Sequence, residues 1–507
     1  MVENLGNALD NQDKYNKNSI NQPIENTKIT MDLINSEIVS ISEYFQNNSL
    51  KKEDAILKEL LNQIPSIDFR EYSKVKENKT IQKKHYIVSC IEVLIDLSKE
   101  YNWNLCRKNE SIFLFNGNYW QEIDTDKFKD FLKDVALKMG VDKFDAKYHQ
   151  FKDELYKQFI TDGNLSEIQS KNQTTLINLL NGTFEITPKL RNLKEFDHRD
   201  FLTYQLPFEY NEESACPLFN NFLDEVIPEK ELQLILAEYL GYIFIKNDTL
   251  KLEKVLLLYG TGANGKSVLF DIITALIGSH NITNYSLQSL TDQNGYQRAM
   301  IGNKLLNYAS EINGKLESSI FKQLCSGEPV EARLPYKTPM IIKNYARFMF
   351  NCNELPKETE NTHAFFRRFL IIPFKNTIPP EKQDKDLAKK IIELELTGIF
   401  NWVLVGVERL LKNKSFTESD IVKQEVLNYQ KESDSVAMFI DDLMYKPSVE
   451  YNEALSTLFE EYKIYCRDNG YIHCSIKTFK KRLASMKFKF HRKNTGQIIY
   501  IEKKNLM

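Results

Sequence analysis

Apolar and polar positions in this 507-residue chain follow mostly a helical period, interrupted by short strand-like runs. Residues 1–30 are polar and rich in asparagine, which predicts a disordered arm. Spaced apolar residues from Met31 to about Asp68 indicate one or two amphipathic helices, and Glu71–Lys84 is predicted to be a linker. The helical period returns over Tyr86–Tyr101.

Two hairpins are predicted in the first half of the chain. Asn116-Gly117 and Asn181-Gly182 each lie between apolar runs, and Asn-Gly is the strongest short signal for a two-residue hairpin turn. Helices are predicted from Asp126 to about Gln169 and from about Phe219 to Lys246.

Asp124 and Asp126 have two interpretations. They could mimic the metal-binding acidic pair of a polymerase-like primase, but no Ser-x-His element accompanies them. Asp126 directly precedes a helical pattern, so the interpretation as a helix N-cap is favoured.

Composition and charge limit the class of protein. At ~150 residues per domain the length suggests roughly three domains, and 42% hydrophobic residues can fill sizeable cores. A net charge of −3 excludes a polycationic nucleic-acid coat. Seven cysteines without a Cys-x-x-Cys pair argue against a disulfide scaffold and a zinc finger. The chain shows no signal peptide and no run of ~20 apolar residues, so a reducing, cytoplasmic location without a membrane partner is expected.

The most informative motif fits the phosphate-binding pattern G-x-x-x-x-G-K-[ST]. It consists of Gly260, Thr261, Gly262, Ala263, Asn264, Gly265, Lys266 and Ser267. The apolar run Lys254–Tyr259 predicts a buried strand before it, and the apolar stripe after Ser267 predicts a helix that ends at Gly278. A strand, loop and helix in this order bring backbone amides to the phosphates, while Lys266 adds charge and Ser267 offers an oxygen to Mg²⁺.

Polar residues follow two further predicted strands. Lys304–Ala309 is followed by Ser310-Glu311, where a carboxylate one strand over from the loop can deprotonate the attacking water. Arg347–Cys352 ends at Asn353, a side chain that can sense the γ-phosphate. Taken singly, Glu311 is an ordinary strand-end acid and Asn353 a turn residue; their order behind the loop disfavours that interpretation.

Two basic features complete this central region. Pro329–Asn344 predicts a pair of strands around a turn. Arg367 and Arg368 directly precede another strand, and their simplest interpretation would be a solvated pair.

This succession resembles the superfamily 3 helicases, and more closely the phage and plasmid primase-helicases of the poxvirus type. Flanking motifs typical of that group extend the resemblance to roughly residues 100–445. They are Asn181-Gly182-Thr183-Phe184, Cys216-Pro217, Gly241-Tyr242, Gly398–Trp402 and Asp434–Phe439.

The resemblance implies a DNA helicase powered by ATP and Mg²⁺. Lys266 and Ser267 would bind ATP-Mg²⁺, Glu311 would be the catalytic carboxylate and Asn353 the sensor. Arg367 or Arg368 would reach the ATP of the neighbouring subunit, which implies a ring, by resemblance a homo-hexamer.

The resemblance also implies how DNA is engaged. The Arg333–Lys343 hairpin, with Lys337 at its turn, would track one strand in the ring pore, and translocation would run 3′-to-5′. Two features depart from the family: Ser310 holds the place of a second acid, and the part before the motor is too short for a primase domain. A primase would therefore be a separate polypeptide.

The C-terminus is strongly basic. From Tyr471 to Met507 there are ten Lys and Arg against one acid, a net charge of +9 over 37 residues. Predicted helices Glu453–Asn469 and Ser475–Met486, with Ser475 as N-cap, precede strands Lys487–Arg492 and Gln497–Glu502, an order typical of a winged helix.

The second of these helices would face a DNA major groove, and the wing would lie near phosphates. The predicted contacts are Lys477, Lys480, Lys481 and Arg482 on the helix, and Arg492 and Lys493 on the wing. A solvated basic tail, or a winged helix that contacts protein, remains the alternative.

The expected fold class is α/β, an AAA+-like P-loop ATPase core with a mostly helical N-terminal region and a C-terminal winged-helix domain. The expected divisions are a polar arm with short helices (1–85), a mixed, mostly helical domain (86–230), the ATPase core (231–378), a helical segment (379–446) and the winged helix (447–507). The expected function is a replication initiator helicase of a mobile element such as a phage, plasmid or pathogenicity island. It would bind origin DNA through the C-terminal domain and unwind it as a ring. The alternatives are an RNA-translocating viral-type helicase, or a P-loop DNA-binding regulator without unwinding activity.

Overall fold

The computed structural model describes residues 53–101, 104–108, 111–163, 174–310, 316–336, 338–355, 362–494 and 496–503. The predicted arm 1–30 and the first part of the predicted helices after Met31 lie outside these residues. The described chain is a mixed α/β protein with one parallel sheet and several helical regions. No helix in the described ranges is both long and apolar enough to span a membrane. The seven cysteines are all free thiols, and all but Cys474 are buried.

The first part of the described chain packs helices onto a small antiparallel sheet. Buried residues of α3, α4 and α6 share one apolar core. The elements are α1 (53–63), α2 (Phe69–Tyr72), α3 (Lys83–Glu100), β1 (Leu105–Lys108), β2 (Ser111–Phe115), β3 (Trp120–Ile123), α4 (Thr125–Met139), α5 (Lys143–Lys147) and α6 (His149–Asp162).

Local signals in this part are largely confirmed. The first predicted hairpin is present, with β2 and β3 antiparallel and Asn116 Oδ1 accepting from the amides of Asn118 and Tyr119. The interpretation of the acidic pair as a helix N-cap is confirmed, but the capping residue is Asp124 and not the predicted Asp126. Asp124 caps α4 because its carboxylate accepts from the amides of Asp126 and Lys127, and Asp126 lies in the first turn.

A second antiparallel sheet and two helices lead to the centre. The predicted Asn181-Gly182 turn is present, since Leu179 pairs with Gly182 across it. The elements are β4 (Thr175–Leu179), β5 (Gly182–Ile186), β6 (Arg191–Lys194), α7 (Pro217–Val226) and α8 (Lys230–Tyr242).

The central sheet contains five parallel strands in the order β13-β7-β12-β9-β8, and a short antiparallel hairpin, β10–β11, stands beside it. The elements are β7 (Val255–Tyr259), α9 (Lys266–Ile277), β8 (Ile282–Thr283), α10 (Leu287–Thr291), α11 (Tyr296–Met300), β9 (Leu306–Ala309), α12 (Ser318–Cys325), β10 (Val330–Ala332), β11 (Met340–Ile342), β12 (Arg347–Cys352), α13 (His363–Phe366) and β13 (Phe369–Pro373).

Both faces of this sheet are buried, which explains the continuous apolar run of β7. Leu256 and Leu258 belong to a core shared with α8, α9 and the following long helix, whereas Val255 and Leu257 belong to a core on the opposite face. A parallel strand covered on both faces needs apolar residues at consecutive positions.

The helical part after the sheet consists of α14 (Leu387–Asn413) and α15 (Asp420–Glu432). Helix α14 begins at Leu387, after a 3₁₀ turn that starts at Pro380. Helices α14 and α8 cross with little space, since a Cβ on Gly406 would lie 2.2 Å from the carbonyl oxygen of Ala237. Glycine therefore allows the two backbones to approach.

The C-terminal part has its own core. Buried residues of three helices pack on one face of the antiparallel sheet β14-β16-β15. The elements are α16 (Ser435–Asp442), β14 (Tyr445–Ala454), α17 (Leu455–Asp468), α18 (Ile476–Ser485), β15 (Lys489–Lys493) and β16 (Gly496–Lys503). The two predicted helices, the Ser475 cap of the second helix and the two predicted strands are present, and β14 is an additional strand.

Candidate functional site: a glycine loop at the carboxyl edge of the parallel sheet

The glycine loop (Gly260–Ser267) joins β7 to α9, as predicted. Gly262 and Gly265 have φ of +116° and +86°, the left-handed region in which glycine costs least. Gly260 is needed for space, because a Cβ there would lie 2.3 Å from Asn264 Nδ2 and 2.6 Å from the carbonyl oxygen of Phe374. At Gly262 the space beside the backbone is open. The loop is therefore closely packed at Gly260, whereas the space beside Gly262 is open.

Lys266, the first residue of α9, is 7% exposed, so its charge is largely removed from water. Its Nζ donates to the carbonyl oxygen of Gly260 (2.6 Å) and to Asn264 Oδ1 (2.9 Å). Both partners are neutral, and no carboxylate of the described residues forms an ion pair with it. Burial lowers the pKa of Lys266 below its usual range. A buried cation with only neutral partners, beside a helix N-terminus, is suited to an anion.

Ser267 follows Lys266 in the first turn of α9 and is exposed. Its hydroxyl can supply one oxygen ligand of the kind that Mg²⁺ prefers. No group of three or more His, Cys, Asp or Glu in the described ranges could hold a metal ion by itself. A magnesium ion at Ser267 would therefore depend on phosphate oxygens and water for most of its ligands.

The position of the predicted acid relative to the loop needs a correction. The strand predicted at Lys304–Ala309 is present as β9, but β12 lies between β9 and β7. The acid after β9 is thus two strands from the loop, and the prediction of one strand is wrong. Glu311 itself lies outside the described residues. The Tyr308 hydroxyl donates to Asn351 Oδ1 at 2.9 Å, which links β9 to β12.

Asn353 lies where the sequence places it, directly after β12, whose bounds Arg347–Cys352 match the prediction. It is exposed at the carboxyl end of the strand, the end at which β7 enters the glycine loop. The parallel register pairs Cys352 with Tyr259, the last residue before the loop. Asn353 and the loop therefore share one edge of the sheet.

Arg367 and Arg368 lie at the opposite, amino edge, just before β13, and their environments differ. The Arg368 side chain is 8% exposed, and its guanidinium donates to the carbonyl oxygen of Ala364 and to Ser326 Oγ. The Arg367 side chain is 49% exposed, and its Nη2 lies 2.8 Å from Glu253 Oε2. Arg368 is thus fixed inside the chain, whereas Arg367 is available at the surface.

The predicted pair of strands in Pro329–Asn344 is the hairpin β10–β11. Tyr336 at its tip is fully exposed, and Arg333 near the tip is also exposed. Lys337 lies outside the described residues. Arg298 fixes the base of the hairpin, since it is buried and its Nε donates to the carbonyl oxygen of Glu331 at 2.8 Å.

Some basic residues of the C-terminal part are exposed, whereas others contact side chains of the same chain. Lys477 and Lys481, one turn apart on α18, are exposed, as are Arg492 and Lys493 on β15. Lys480 lies over the ring of Phe490, 5.5 Å from its centre. Arg482 Nη1 forms an ion pair with Asp434 Oδ1 at 3.0 Å, so this side chain ties α18 to the N-terminus of α16.

Sequence reasoning missed two residues of interest. Glu253, the partner of Arg367, lies outside every recognised motif, and only its place two residues before β7 marks it. Tyr336 precedes the turn lysine, and an aromatic residue at a predicted hairpin tip is a signal that was available in the sequence.

Three family models match separate parts of the chain. Residues 91–228 match a model described as D5 N terminal like, and residues 431–505 match one described as Poxvirus D5 protein-like. Residues 258–368, which contain the glycine loop and both arginines, match a family of unknown function, DUF5906. The two D5-type matches therefore flank the central sheet.

One curated relative is the putative helicase L207/L206 of Acanthamoeba polyphaga mimivirus. It is 23% identical over 255 residues, which is 44% of this chain and 26% of the viral protein. The match thus spans about a quarter of that relative. Among solved structures, an A-form apo structure of the NrS-1 C-terminal region has a TM-score of 0.42 at 13% identity, with 80% of this chain and 98% of that chain covered. Another apo structure of the same region has a TM-score of 0.39 at 13% identity, with 82% and 99% covered.

Two of the matching models are named after the poxvirus D5 protein, and the curated relative is named as a putative helicase. Residues 91–228 and 431–505, on either side of the central sheet in the sequence, are therefore similar to D5-type proteins, and about half of the chain is similar to a viral protein named as a putative helicase.

Proposed function

We propose that this chain is an ATP-driven DNA helicase that starts replication of a mobile element. It acts as a ring of six subunits that binds origin DNA through its C-terminal domain and moves 3′-to-5′. The observation that carries the proposal is Lys266, a buried ammonium with two neutral acceptors at the amino end of α9. A P-loop lysine binds the phosphates of ATP in this position.

The residues of the glycine loop fit ATP and Mg²⁺. The open space beside Gly262 leaves room for phosphates next to the backbone, and Lys266 supplies a positive charge that attracts them. Ser267 would hold Mg²⁺. Bound ATP supplies a phosphoanhydride bond whose hydrolysis drives motion. Glu311 would orient and deprotonate the attacking water, and Asn353 would contact the γ-phosphate from the end of β12.

The separation of the two sheet edges supports a site shared between subunits. Phe369, which follows the arginine pair, pairs with Val255 at the start of β7, whereas the loop follows Tyr259 at its end. Four residue steps of about 3.3 Å separate these edges by about 13 Å. Arg367 therefore lies at the edge opposite to its own loop, and we assign it as the finger that reaches a neighbour's ATP. The buried contacts of Arg368 disfavour that role for it.

Two surfaces would contact DNA. The hairpin β10–β11 would project into the ring pore, where Arg333 and Lys337 contact phosphates and Tyr336 stacks on bases of the translocated strand. The C-terminal domain, which we propose to be a winged helix, would bind duplex DNA through α18 and the β15–β16 wing. On this surface Lys477, Lys481, Arg492 and Lys493 are the residues that contact phosphates, with Lys480 beside them.

The test is ATP hydrolysis and unwinding by the wild-type chain on forked DNA with either a 3′ or a 5′ single-stranded arm, and on the matching RNA forks. The proposal predicts ATP-dependent unwinding only of the DNA fork with the 3′ arm. Preference for RNA would favour the alternative RNA helicase. Hydrolysis or origin binding without unwinding of any fork would favour a P-loop regulator.

A further inference from the structure

Glu253 lies two residues before β7 and is surrounded by cations. Its Oε2 lies 2.8 Å from Arg367 Nη2 and 3.4 Å from Arg368 Nη2, and its Oε1 lies 3.7 Å from Lys251 Nζ. Its φ is +55°, a left-handed conformation that is costly for a residue with a Cβ and persists only where the surroundings hold it. The backbone is therefore held in a costly conformation at a residue that presents its carboxylate to both arginines.

The three cations differ in how easily they can leave. Arg368 is held by Ser326 and Ala364 as well as by Glu253, and it is buried. Arg367 has half of its side chain in solvent, and Glu253 is its charged partner. If the Arg367 guanidinium swings away, Glu253 keeps Arg368 and Lys251. Its carboxylate is then not left unpaired, which removes the main cost of breaking such a contact.

Building on the proposed function, we propose that Glu253 is a positioning residue that holds Arg367 on its own subunit until the terminal phosphate of ATP on a second copy of the chain takes the guanidinium. The exchange replaces one ion pair with another. Assembly of subunits around ATP must therefore first break the contact between Glu253 and Arg367, and this contact opposes association.

The test measures assembly of the full chain by sedimentation velocity as a function of protein concentration, with a non-hydrolysable ATP analogue present. Glu253→Gln removes the charge and keeps the shape. It should lower the concentration at half-assembly two- to fivefold, the equivalent of an exposed ion pair of about 0.4–1 kcal/mol. Glu328→Gln is the matched control, because Glu328 pairs with Lys251 at 3.6 Å and has no ion pair with Arg367. Glu328→Gln should leave the concentration at half-assembly unchanged.

A merely structural role is separated by repeating the series in the Arg367→Ala background, where Glu253→Gln should have no effect on assembly. The inference would be overturned if Glu253→Gln left the concentration at half-assembly unchanged in the wild-type background. It would also be overturned if Glu253→Gln lowered that concentration equally in the Arg367→Ala background. Glu253→Asn, which suits the left-handed backbone, provides the same comparison if the glutamine variant does not fold. A wild-type chain that never assembles with the analogue would instead overturn the proposed ring.

Discussion

Replacing each of the two adjacent arginines by alanine should give opposite results. Arg367→Ala removes a half-exposed side chain and one surface ion pair, so the free energy of unfolding should fall by at most about 1 kcal/mol. Turnover should fall on the order of 10³-fold, about 4 kcal/mol of transition-state stabilisation, because the proposed in-trans arginine is lost. ATP binding should persist.

Arg368→Ala should do the reverse. It removes a buried guanidinium that donates to Ser326 and Ala364 and lies beside Glu253. Two charge-assisted hydrogen bonds and the packing of the side chain are lost, so the free energy of unfolding should fall by about 2–4 kcal/mol. At temperatures where this variant stays folded, turnover should remain within about tenfold of wild type, since Arg367 rather than Arg368 is the proposed finger.

Both variants are assayed by urea unfolding and by steady-state ATP hydrolysis with DNA present. Arg367→Lys is a matched control that keeps the charge without the planar fork, and it should recover little turnover. If Arg368→Ala abolished turnover with no loss of stability, and Arg367→Ala left turnover intact, the assignment of Arg367 as the finger would be refuted.

Four further variants test the loop, the proposed DNA surface and a half-buried acid. Lys266→Ala should abolish hydrolysis while the free energy of unfolding is unchanged or rises by about 1 kcal/mol, because a desolvated cation is removed; normal turnover would exclude the nucleotide site. Lys477→Ala combined with Lys481→Ala should lower the slope of log K against log salt for duplex binding by about two. Arg482→Ala should leave this slope unchanged and lower the free energy of unfolding by about 1–2 kcal/mol, because the ion pair with Asp434 is lost. An unchanged slope in the double variant with a lower slope in Arg482→Ala would contradict the proposed DNA surface. Asp271→Asn should raise the free energy of unfolding by about 1–3 kcal/mol above pH 7, because burial raises the pKa of Asp271 to about 6 and the folded wild type must ionise it. This gain should shrink as pH falls from 6 and vanish below about 4, where the acid is protonated in both the folded and the unfolded chain, and a pH-independent gain in urea unfolding would contradict it.

Local signals in the sequence predicted the elements well. The strand, loop and helix around Gly260–Ser267 and the bounds of β12 were predicted from apolar runs and glycine chemistry alone. These elements are set by contacts within a few residues. Strand order is different, because the place of β12 between β7 and β9 depends on crossovers far apart along the chain. No local pattern in Arg347–Cys352 carries that information.

Strand β14 escaped prediction for a physical reason. It contains Pro447 and a bulge between Pro447 and Asn452, and Val449 is 80% exposed. Neither a run of buried positions nor a clean alternation marks it as a strand, because pairing with β16 rather than burial holds it in place.

The site itself was only partly predictable. The order of motifs placed Lys266, Asn353 and the arginine pair, but two neighbouring arginines are equivalent in sequence. Burial separates them, since the Arg368 side chain is buried and donates to Ser326, whereas half of the Arg367 side chain is exposed to solvent. That distinction comes from tertiary packing, as does the pairing of Arg367 with Glu253.

The central claim is that neighbouring subunits complete one another's ATP sites, and a mixing experiment tests it most directly. Lys266→Ala and Arg367→Ala chains, each inactive alone, are mixed in equal amounts with ATP and forked DNA, and hydrolysis is measured. Random assembly into head-to-tail rings would create intact interfaces at about a quarter of positions, so the mixture should hydrolyse ATP well above either variant alone. If hydrolysis stays at the level of the separate variants at every mixing ratio, the shared site is contradicted.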